Sequence, residues 1–294
     1  MRECPTCSGV FDDDTLVCPS DFAQVRSALE GPPLLDSKYR LEHLLGEGGM
    51  GAVYLATHVG LRRKFALKVV RGNATHEASF LPRFKREAVA LGRLRHNNIV
   101  AVTDFGIDPR GAGTAYLVME YLEGETLAHY CGPRSSLTIA DRIGLLAQIA
   151  DGLDYAHDQG ILHRDLKPAN ILVVKTEDRF PTPKIVDFGL ARLIDSAEGD
   201  PPGPTAPFTN PLSTNFDIHD TATASVSRHL TEGPLTKPNQ VMGTLRYMAP
   251  ELFTGGFASR ASDIYAFGVV AYELIVGFVP FPAQDLAAIH ERAI

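Results

Sequence analysis

Two short segments of the sequence contain side chains whose types and spacing suit chemistry on a phosphate group. The first, HRDLKPAN at 163–170, places acidic, basic and amide side chains between two apolar runs. The second, KIVDFGLA at 184–191, places one carboxylate, Asp187, after a short apolar strand pattern. Because unpaired charges are costly in buried surroundings, so many polar groups in this setting predict a reactive site.

Together the two segments offer oxygen ligands for a metal ion and an acid–base group. Magnesium prefers a few protein oxygens together with the phosphates of a substrate. Asn170 and Asp187 are therefore candidate Mg²⁺ ligands. Asp165 is then available to accept a proton from an attacking hydroxyl, and Lys167 is placed to steady a transferred phosphoryl group. The alternative is that each of these side chains is a solvated loop charge.

A glycine-rich segment, LGEGGMGAV at 45–53, has the spacing G-x-G-x-x-G. Strand-like runs flank it on both sides, which favours a hairpin over phosphates and not the strand-to-helix turn of a dinucleotide-binding fingerprint. Glycines allow the backbone to approach negative oxygens closely. A surface hairpin without a ligand is the alternative. The candidate nucleotide-binding residues are Leu45, Gly46, Glu47, Gly48, Gly49, Met50, Gly51, Ala52 and Val53.

A lysine follows the glycine-rich segment inside an apolar run. Lys68 lies in FALKVV, where strand alternation predicts burial, and a buried ammonium needs an anionic partner. Glu87, in the helical segment FKREAVALGRL, is the candidate partner. A strand lysine paired with a helix glutamate can present its charge to a polyphosphate. A solvated surface lysine is the alternative.

Composition limits the classes to which the chain can belong. Its 294 residues, 45% of them hydrophobic, are enough for a substantial core and for two structural units. The net charge of −7 argues against general nucleic-acid binding, which usually needs a basic surface. The sequence shows neither an apolar run long enough to cross a bilayer nor a secretory signal. We expect a cytoplasmic chain with no nucleic-acid partner and no membrane segment, although a longer parent chain could be membrane-anchored.

The chain is organised into zones of different pattern. Residues 1–24 contain three of the four cysteines, and 25–38 are a predicted linker that contains Gly31-Pro32-Pro33. One helical pattern, at about 80–94, interrupts a series of strand-like runs at 39–45, 52–57, 65–70, 100–107 and 115–120. Residues 137–294 are mostly helical in pattern, with short strands near 171–174 and 184–186.

The clearest predicted helix runs from Thr138 to Gly160. Thr138 and Asp141 form a capping-box pattern at its start, and Gly160 is placed to end it. Apolar residues recur at helical spacing along it, namely Ile139, Ile143, Leu146, Ile149 and Leu153.

The motifs resemble, in order and spacing, those of a protein kinase catalytic domain. The matching set is the glycine loop at 46–51, Lys68, Glu87, HRDLKPAN, DFG at 187–189 and APE at 249–251. The resemblance covers about 39–294 and implies an α+β, bilobal kinase-like fold. Its N-lobe and hinge would occupy 39–122, as an antiparallel sheet plus one helix, and its mostly helical C-lobe 123–294.

The resemblance also implies roles for individual residues. It makes ATP and Mg²⁺ the cofactors, with the glycine loop over the phosphates and Lys68 held by Glu87 against them. Glu120 and Leu122 resemble hinge residues whose backbone binds adenine. Met119 resembles the residue at the back of the adenine pocket. The implied catalytic residues are Asp165, Lys167, Lys68 and Glu87.

Details of the motifs resemble the bacterial, eukaryotic-like serine/threonine kinases. Lys167 and Thr244 are typical of that class, so the implied substrates are Ser and Thr hydroxyls of proteins. Asp263 resembles a buried aspartate that braces the catalytic loop. Arg164 resembles an arginine that pairs with a phosphorylated activation segment.

The predicted activation segment is unusually long for the family. Residues 195–240 are rich in Pro, Gly, Ser, Thr and Asn, which predicts a largely disordered insertion. We expect autophosphorylation in 221–236 to activate the enzyme. The candidate phosphosites are Thr221, Thr223, Ser225, Ser227, Thr231 and Thr236.

The end of the chain is a second departure from the family pattern. The family's C-lobe normally continues beyond the equivalent of Ile294 and includes an arginine that pairs with the glutamate of APE, here Glu251. We therefore expect a truncated C-lobe. This leaves a catalytically weak pseudokinase scaffold as the alternative to an active enzyme.

The N-terminal cysteines have the spacing of a small metal site. Cys4, Cys7, Cys18 and Asp21 give C-x₂-C-x₁₀-C-x₂-D, which resembles a zinc ribbon with a carboxylate as fourth ligand. Free thiols in a degenerate knuckle are the alternative. Such a knuckle would need metal to fold and would serve a regulatory protein partner. A nucleic-acid role for it is disfavoured by the acidic balance of the chain.

Overall fold

A computed structural model describes most of the chain as two compact units. The described residues are 1–29, 31–48, 51–70, 80–108, 114–132, 135–174, 181–188, 245–253 and 255–281. The first unit comprises Met1–His96 with Val100–Glu123, and the second comprises Asn97–Ile99 with Gly124–Ile294.

The first unit begins with a small antiparallel sheet of short strands. These are β1 (Arg2–Glu3), β2 (Val10–Phe11) and β3 (Arg26–Ser27), in the order β2-β1-β3. Cys4, Cys18 and Val25 form a small buried cluster beside them. We call residues 1–27, which contain β1, β2 and β3, the N-terminal module. Because β3 pairs with β1, this module extends into the segment predicted as a linker.

The larger sheet of the first unit is antiparallel throughout, as the sequence predicts for 39–122. Its order is β4-β5-β6-β7-β9-β8. One helix, α1 (Phe80–Leu91), accompanies it and confirms the helical pattern. The strands are β4 (Leu34–Leu35), β5 (Tyr39–Gly48), β6 (Gly51–His58), β7 (Arg63–Val70), β8 (Val102–Asp108) and β9 (Thr114–Glu120).

Strand alternation explains the core of this sheet. Tyr54 on β6 and Leu67 and Val69 on β7 are fully buried and share one apolar cluster. Successive strand side chains point to opposite faces, so Lys68 lies on the other face from Leu67 and Val69. Met1 joins the apolar cluster, which places the N-terminal module on the face that Lys68 does not use.

The second unit combines helices with a small antiparallel sheet. Its strands, in the order β10-β11-β12, are β10 (Gly124–Thr126), β11 (Ile171–Val174) and β12 (Thr182–Ile185). Single 3-10 turns occur at Leu127–Tyr130 and Pro168–Asn170. The described helices are α2 (Ile139–Asp158), α3 (Pro250–Phe253) and α4 (Arg260–Val276).

Helix α2 confirms the helical pattern and the capping prediction. The Thr138 hydroxyl accepts from the Asp141 N–H at 3.1 Å, and the Asp141 carboxylate accepts from the Thr138 N–H at 2.9 Å. Ile139 and Ile143, at the start of the apolar pattern, are more than half exposed. The buried stripe contains Leu145, Ile149, Leu153 and Ala156, which lie on a neighbouring face of the helix.

Several sequence predictions fall on residues outside the described ranges. They include the insertion at 195–240, the candidate phosphosites, Thr244, and Gly49 and Met50 of the glycine loop. Within the described ranges, the helices lack the length and apolar character needed to cross a bilayer.

Candidate functional site

The glycine-rich segment forms a β-hairpin, as its flanking strands predict. Strands β5 and β6 pair up to Gly48 opposite Gly51. Gly51 has φ 144°, and a Cβ there would lie 2.0 Å from the carbonyl oxygen of Val69. The third glycine of the motif is thus required by close packing of the hairpin on β7, since any side chain would displace that strand.

The first two glycines have a different environment. A Cβ placed on Gly46 or Gly48 would meet nothing within 4 Å among the described residues. Packing against the described residues therefore does not account for these two glycines. The open space beside them is what the predicted approach of a ligand to the backbone would need.

The predicted burial of Lys68 is confirmed. Its side chain is 7% exposed on β7, between Val53 of β6 and Leu117 of β9 in the strand register. A solvated surface lysine is therefore the wrong interpretation. Glu87 is half-buried on α1, in the same structural unit. A desolvated ammonium requires polar or anionic partners, which suits a phosphate-binding lysine.

The predicted hinge residues lie at the end of β9. The Glu120 carboxylate accepts from the Ala101 N–H at 2.9 Å, and the Glu120 N–H donates to the Ala101 carbonyl at 3.0 Å. Met119 is buried just before them, and Leu122 follows the strand half-buried. Ala101 thus holds both the side chain and the backbone of Glu120 in place at the end of β9.

In the second unit, the polar side chains of HRDLKPAN converge on Asp165. Lys167 Nζ donates to Asp165 Oδ2 at 2.7 Å. Asn170 Nδ2 donates to the same oxygen at 3.1 Å and to the Asp165 carbonyl at 2.8 Å. The Asp165 and Lys167 side chains are 26% and 22% exposed, so they stay accessible while being oriented. The solvated-charge alternative does not account for this mutual fixation.

A buried carboxylate, Asp263 on α4, determines the backbone of this loop. Its Oδ2 accepts from the His163 N–H at 2.7 Å and its Oδ1 from the Arg164 N–H at 2.8 Å. Arg164 has φ 68°, a left-handed conformation that non-glycine residues rarely adopt. The two hydrogen bonds stabilise that conformation, which agrees with the bracing role that the sequence suggests for Asp263.

His157 completes the set of donors to Asp263. Its Nε2 lies 2.8 Å from Oδ2, and both side chains are buried. Burial alone would raise the pKa of Asp263, but hydrogen bonds from the imidazole and from the two backbone N–H groups lower it below its ordinary value. Asp263 is therefore ionised, and each donor binds a full negative charge.

His163 connects the HRDLKPAN loop to the DFG segment. Its Nε2 donates to the Val186 carbonyl at 3.0 Å, while its Nδ1 accepts from the Asp165 N–H at 3.3 Å. Burial lowers the pKa of His163, so the ring is neutral with its proton on Nε2. The ring centroid lies 4.8 Å from that of Phe188. The His163 ring thus contacts both the Asp165 backbone and the segment 186–188, and it fixes their relative position.

The two predicted magnesium ligands are brought together by a backbone bond. The Val186 N–H donates to the Asn170 carbonyl at 2.9 Å, which places Asp187 beside the loop that contains Asn170. Asp187 has φ 66°, so its backbone is also left-handed. Strained conformations of this kind concentrate at functional sites.

The N-terminal module brings its four predicted metal ligands together. Single ligand atoms of Cys4, Cys7, Cys18 and Asp21 lie within 4.8 Å of one another. The Cys7 and Cys18 sulfurs are 3.6 Å apart, and Cys4 Sγ is 3.2 Å from Asp21 Oδ2. A tetrahedral Zn²⁺ with Zn–S bonds of about 2.3 Å separates two sulfurs by roughly 3.8 Å, so these donors fit such an ion.

The two ligand-bearing turns, 4–8 and 18–22, have the same backbone hydrogen bond and the same positive φ. The Cys4 N–H donates to the Gly9 carbonyl at 2.9 Å, and the Cys18 N–H donates to the Ala23 carbonyl at 2.8 Å. Ser8 and Phe22, the residues after the second ligand of each turn, have φ 62° and 60°. The sequences of the two turns, C-P-x-C-S and C-P-x-D-F, also match and are the sequence signal for this repeat. Strained backbone conformations cluster at functional sites, and here they adjoin two of the four predicted ligands, Cys7 and Asp21.

Three other residues with structural roles at these sites were missed. The contact of His157 with Asp263 was not predicted, because His157 lies within the pattern of helix α2 and no motif marks it. Glu3 is 1% exposed, and its carboxylate accepts from the Tyr54 hydroxyl. This pair is separated by 51 residues and has no periodic signal in the sequence.

Comparison with known proteins agrees with this geometry. The family model "Protein kinase domain" matches residues 39–294. Serine/threonine-protein kinase Pkn1 of Myxococcus xanthus is 35% identical over 250 residues, which cover 85% of this chain and 30% of that protein. Serine/threonine-protein kinase PknA of Mycobacterium tuberculosis (strain ATCC 25618 / H37Rv) is 35% identical over 262 residues, covering 88% and 52%. The chain thus spans about a third to a half of the length of these relatives.

A solved structure agrees with the fold. The kinase domain of Mycobacterium tuberculosis PknI, crystallised as a double mutant, superposes with a TM-score of 0.58 and 24% identity, covering 90% of this chain and 85% of that one. The family match over most of the chain and the geometry of both units lead to one conclusion: the chain belongs to the protein kinase domain family.

Proposed function

We propose that this chain is an ATP-dependent serine/threonine protein kinase that phosphorylates Ser and Thr hydroxyls of proteins in bacterial signalling. The observation that supports it most is the orientation of Asp165 by Lys167 and Asn170 on a loop braced by Asp263. The relatives are named serine/threonine-protein kinases, and the Lys167 position matches that class.

The proposed reaction is a direct phosphoryl transfer. The hydroxyl oxygen of the substrate bonds to the γ-phosphorus as the bond from that phosphorus to the β,γ-bridging oxygen breaks, and ADP leaves. The hydroxyl proton passes to Asp165. Because Lys167 and Asn170 both bind Oδ2, we assign the proton to Oδ1. Lys167 supplies positive charge beside the transferred group, where positioning and charge neutralisation determine the rate.

We assign nucleotide binding to the residues that the sequence singled out. Lys68, supported by Glu87, would bind the phosphates, and the Glu120 and Leu122 backbones would bind adenine. Asn170 and Asp187 would bind Mg²⁺, an ion that neutralises phosphate charge when bound. Since Asn170 donates through Nδ2, its amide oxygen is the ligand atom. The phosphate-covering hairpin is 45–53, with Leu45, Gly46, Glu47, Gly48, Gly49, Met50, Gly51, Ala52 and Val53.

We further propose that Cys4, Cys7, Cys18 and Asp21 bind one Zn²⁺ and form a regulatory zinc ribbon. The fit of the four donors and the repeated turns support this assignment. Thiolate ligands and the use of ATP both suit the cytoplasm, where we place the enzyme.

Replacing Asp165 with Asn tests the proposed base. Asn has the same shape but does not accept a proton, so we expect transfer of labelled phosphate from ATP to a protein substrate to fall by about 100-fold or more. Asp154→Asn, at an exposed carboxylate on α2, is the matched control and should retain activity. Equal activity of Asp165→Asn and the control would contradict the assignment. Nucleotide binding without any phosphate transfer by the unmodified chain would instead favour a pseudokinase scaffold.

Metal analysis tests the zinc ribbon. Protein purified without chelator should contain about one zinc per chain, and Cys18→Ser should lose it because a thiolate ligand is removed. Cys131→Ser, at the cysteine outside the cluster, should retain the metal. Elemental analysis that finds equal metal in both variants, or none in the unmodified protein, would reject the site.

Phosphosite mapping tests activation by autophosphorylation. We expect active protein to bear phosphate in 221–236, where a phosphoryl group could pair with Arg164. Mass spectrometry of protein incubated with ATP should find it, and the Asp165→Asn protein should lack it. Fully active protein without phosphate in 221–236 would show that activation does not use this segment.

A further inference from the structure

The N-terminal module contacts the glycine-rich hairpin at its root. Leu44 on β5 and Tyr54 on β6 lie opposite each other, directly before the Gly46–Val53 pair. The Leu44 N–H donates to the Ser8 carbonyl at 2.8 Å. The Tyr54 hydroxyl donates to the Glu3 carboxylate. Both strands of the hairpin are therefore bound to the module at the same level.

The residues that make these contacts are direct chain neighbours of proposed metal ligands. Glu3 precedes Cys4, and Ser8 follows Cys7. An ion that fixes Cys4 and Cys7 would fix the backbone at Glu3 and Ser8 as well, since only one peptide bond separates each pair. The metal site and the hairpin root are thus joined without an intervening flexible segment.

Burial shows which contact matters most. Glu3 is 1% exposed and Tyr54 is fully buried. Loss of a hydrogen bond between two buried side chains is costly because water cannot take the place of the missing partner. Arg26 also reaches the hairpin, at 3.1 Å from Glu47, but these side chains are 52% and 45% exposed and such pairs contribute little. The Glu3–Tyr54 contact is therefore the main polar connection.

Apolar packing connects the same parts. Met1 is 1% exposed in the cluster that contains Leu41 and Tyr54, and Val10 of β2 packs against that cluster. Gly9 also forms an isolated bridge with His43 on β5. Because the module covers the face opposite Lys68, it can stabilise the hairpin without occupying the face that the phosphate-binding lysine uses.

We propose that metal occupancy of the N-terminal module sets the position of the glycine-rich hairpin, so that zinc and nucleotide bind with positive coupling. The coupling rests on the zinc site and the nucleotide binding proposed above. It acts through the Glu3–Tyr54 and Ser8–Leu44 contacts. By linkage, nucleotide strengthens zinc binding by the same factor that zinc strengthens nucleotide binding.

Calorimetric titration of the full chain with MgADP tests this coupling. We expect zinc-loaded protein to bind MgADP about fivefold or more tightly than protein stripped of zinc. Tyr54→Phe removes the hydroxyl and keeps the ring, so the zinc effect should become clearly smaller, with the Ser8–Leu44 bond still in place, while zinc itself stays bound. Tyr39→Phe is the matched control, since its buried hydroxyl donates to Asp104 on β8, away from the module, and it should keep the full zinc effect.

Each outcome separates this coupling from the proposals on which it rests. Zinc that binds without changing the MgADP affinity overturns the coupling and leaves both sites standing. A zinc effect of equal size in the Tyr54→Phe and Tyr39→Phe proteins overturns the proposed route. Absence of zinc binding rejects the metal site, and the coupling with it, whereas absence of MgADP binding rejects the kinase function. Circular dichroism shows whether the protein unfolds when zinc is removed. If it does, the comparison is made between zinc-loaded proteins. Zinc-loaded Tyr54→Phe should then bind MgADP more weakly than zinc-loaded Tyr39→Phe, and equal affinities would refute the coupling.

Discussion

The ionised carboxylate of Asp263 is the interaction on which the catalytic loop depends. It accepts hydrogen bonds from the His163 and Arg164 N–H groups and from the His157 imidazole. The left-handed backbone at Arg164 costs of order 1–3 kcal/mol, and charge-assisted hydrogen bonds in a buried setting are strong enough to offset it. That backbone turn is what directs Asp165 toward Lys167 and Asn170. The position of the half-buried Asp165 is thereby determined by a buried aspartate on helix α4.

The same loop also sets the DFG segment. A neutral His163 bridges the Asp165 N–H and the Val186 carbonyl, and the Asn170 carbonyl accepts from the Val186 N–H. The proposed base and the proposed metal ligands therefore belong to one hydrogen-bonded assembly. A shift of the loop would displace all of them together. Phosphoryl transfer depends on precise positioning, so such a shift would affect the base and the metal ligands at the same time.

Much of this arrangement was predictable from the sequence because it depends on local patterns. The strands around 45–53 predicted the hairpin, the capping box predicted the start of α2, and the apolar run predicted the burial of Lys68. Each of these signals is contained within a few neighbouring residues.

Other features depend on contacts between distant parts of the chain. The exposure of Ile139 and Ile143 depends on what packs against α2, which helical spacing does not contain. The pairing of β3 with β1 placed part of a proline-containing linker in a sheet. The Glu3–Tyr54 contact likewise has no local signature, so the attachment of the N-terminal module to the hairpin emerged only from the structure.

The most direct test of the account is the turnover of Asp263→Asn protein. Asn preserves the shape but removes the charge and turns one acceptor into a donor facing the loop. Because misplacement by about 1 Å can cost on the order of 100-fold, kcat should fall by about that factor. The KM for MgATP should rise as well, since the proposed Mg²⁺ ligands Asn170 and Asp187 belong to the same hydrogen-bonded assembly. An unchanged kcat in folded Asp263→Asn protein would contradict the claim that this carboxylate positions Asp165.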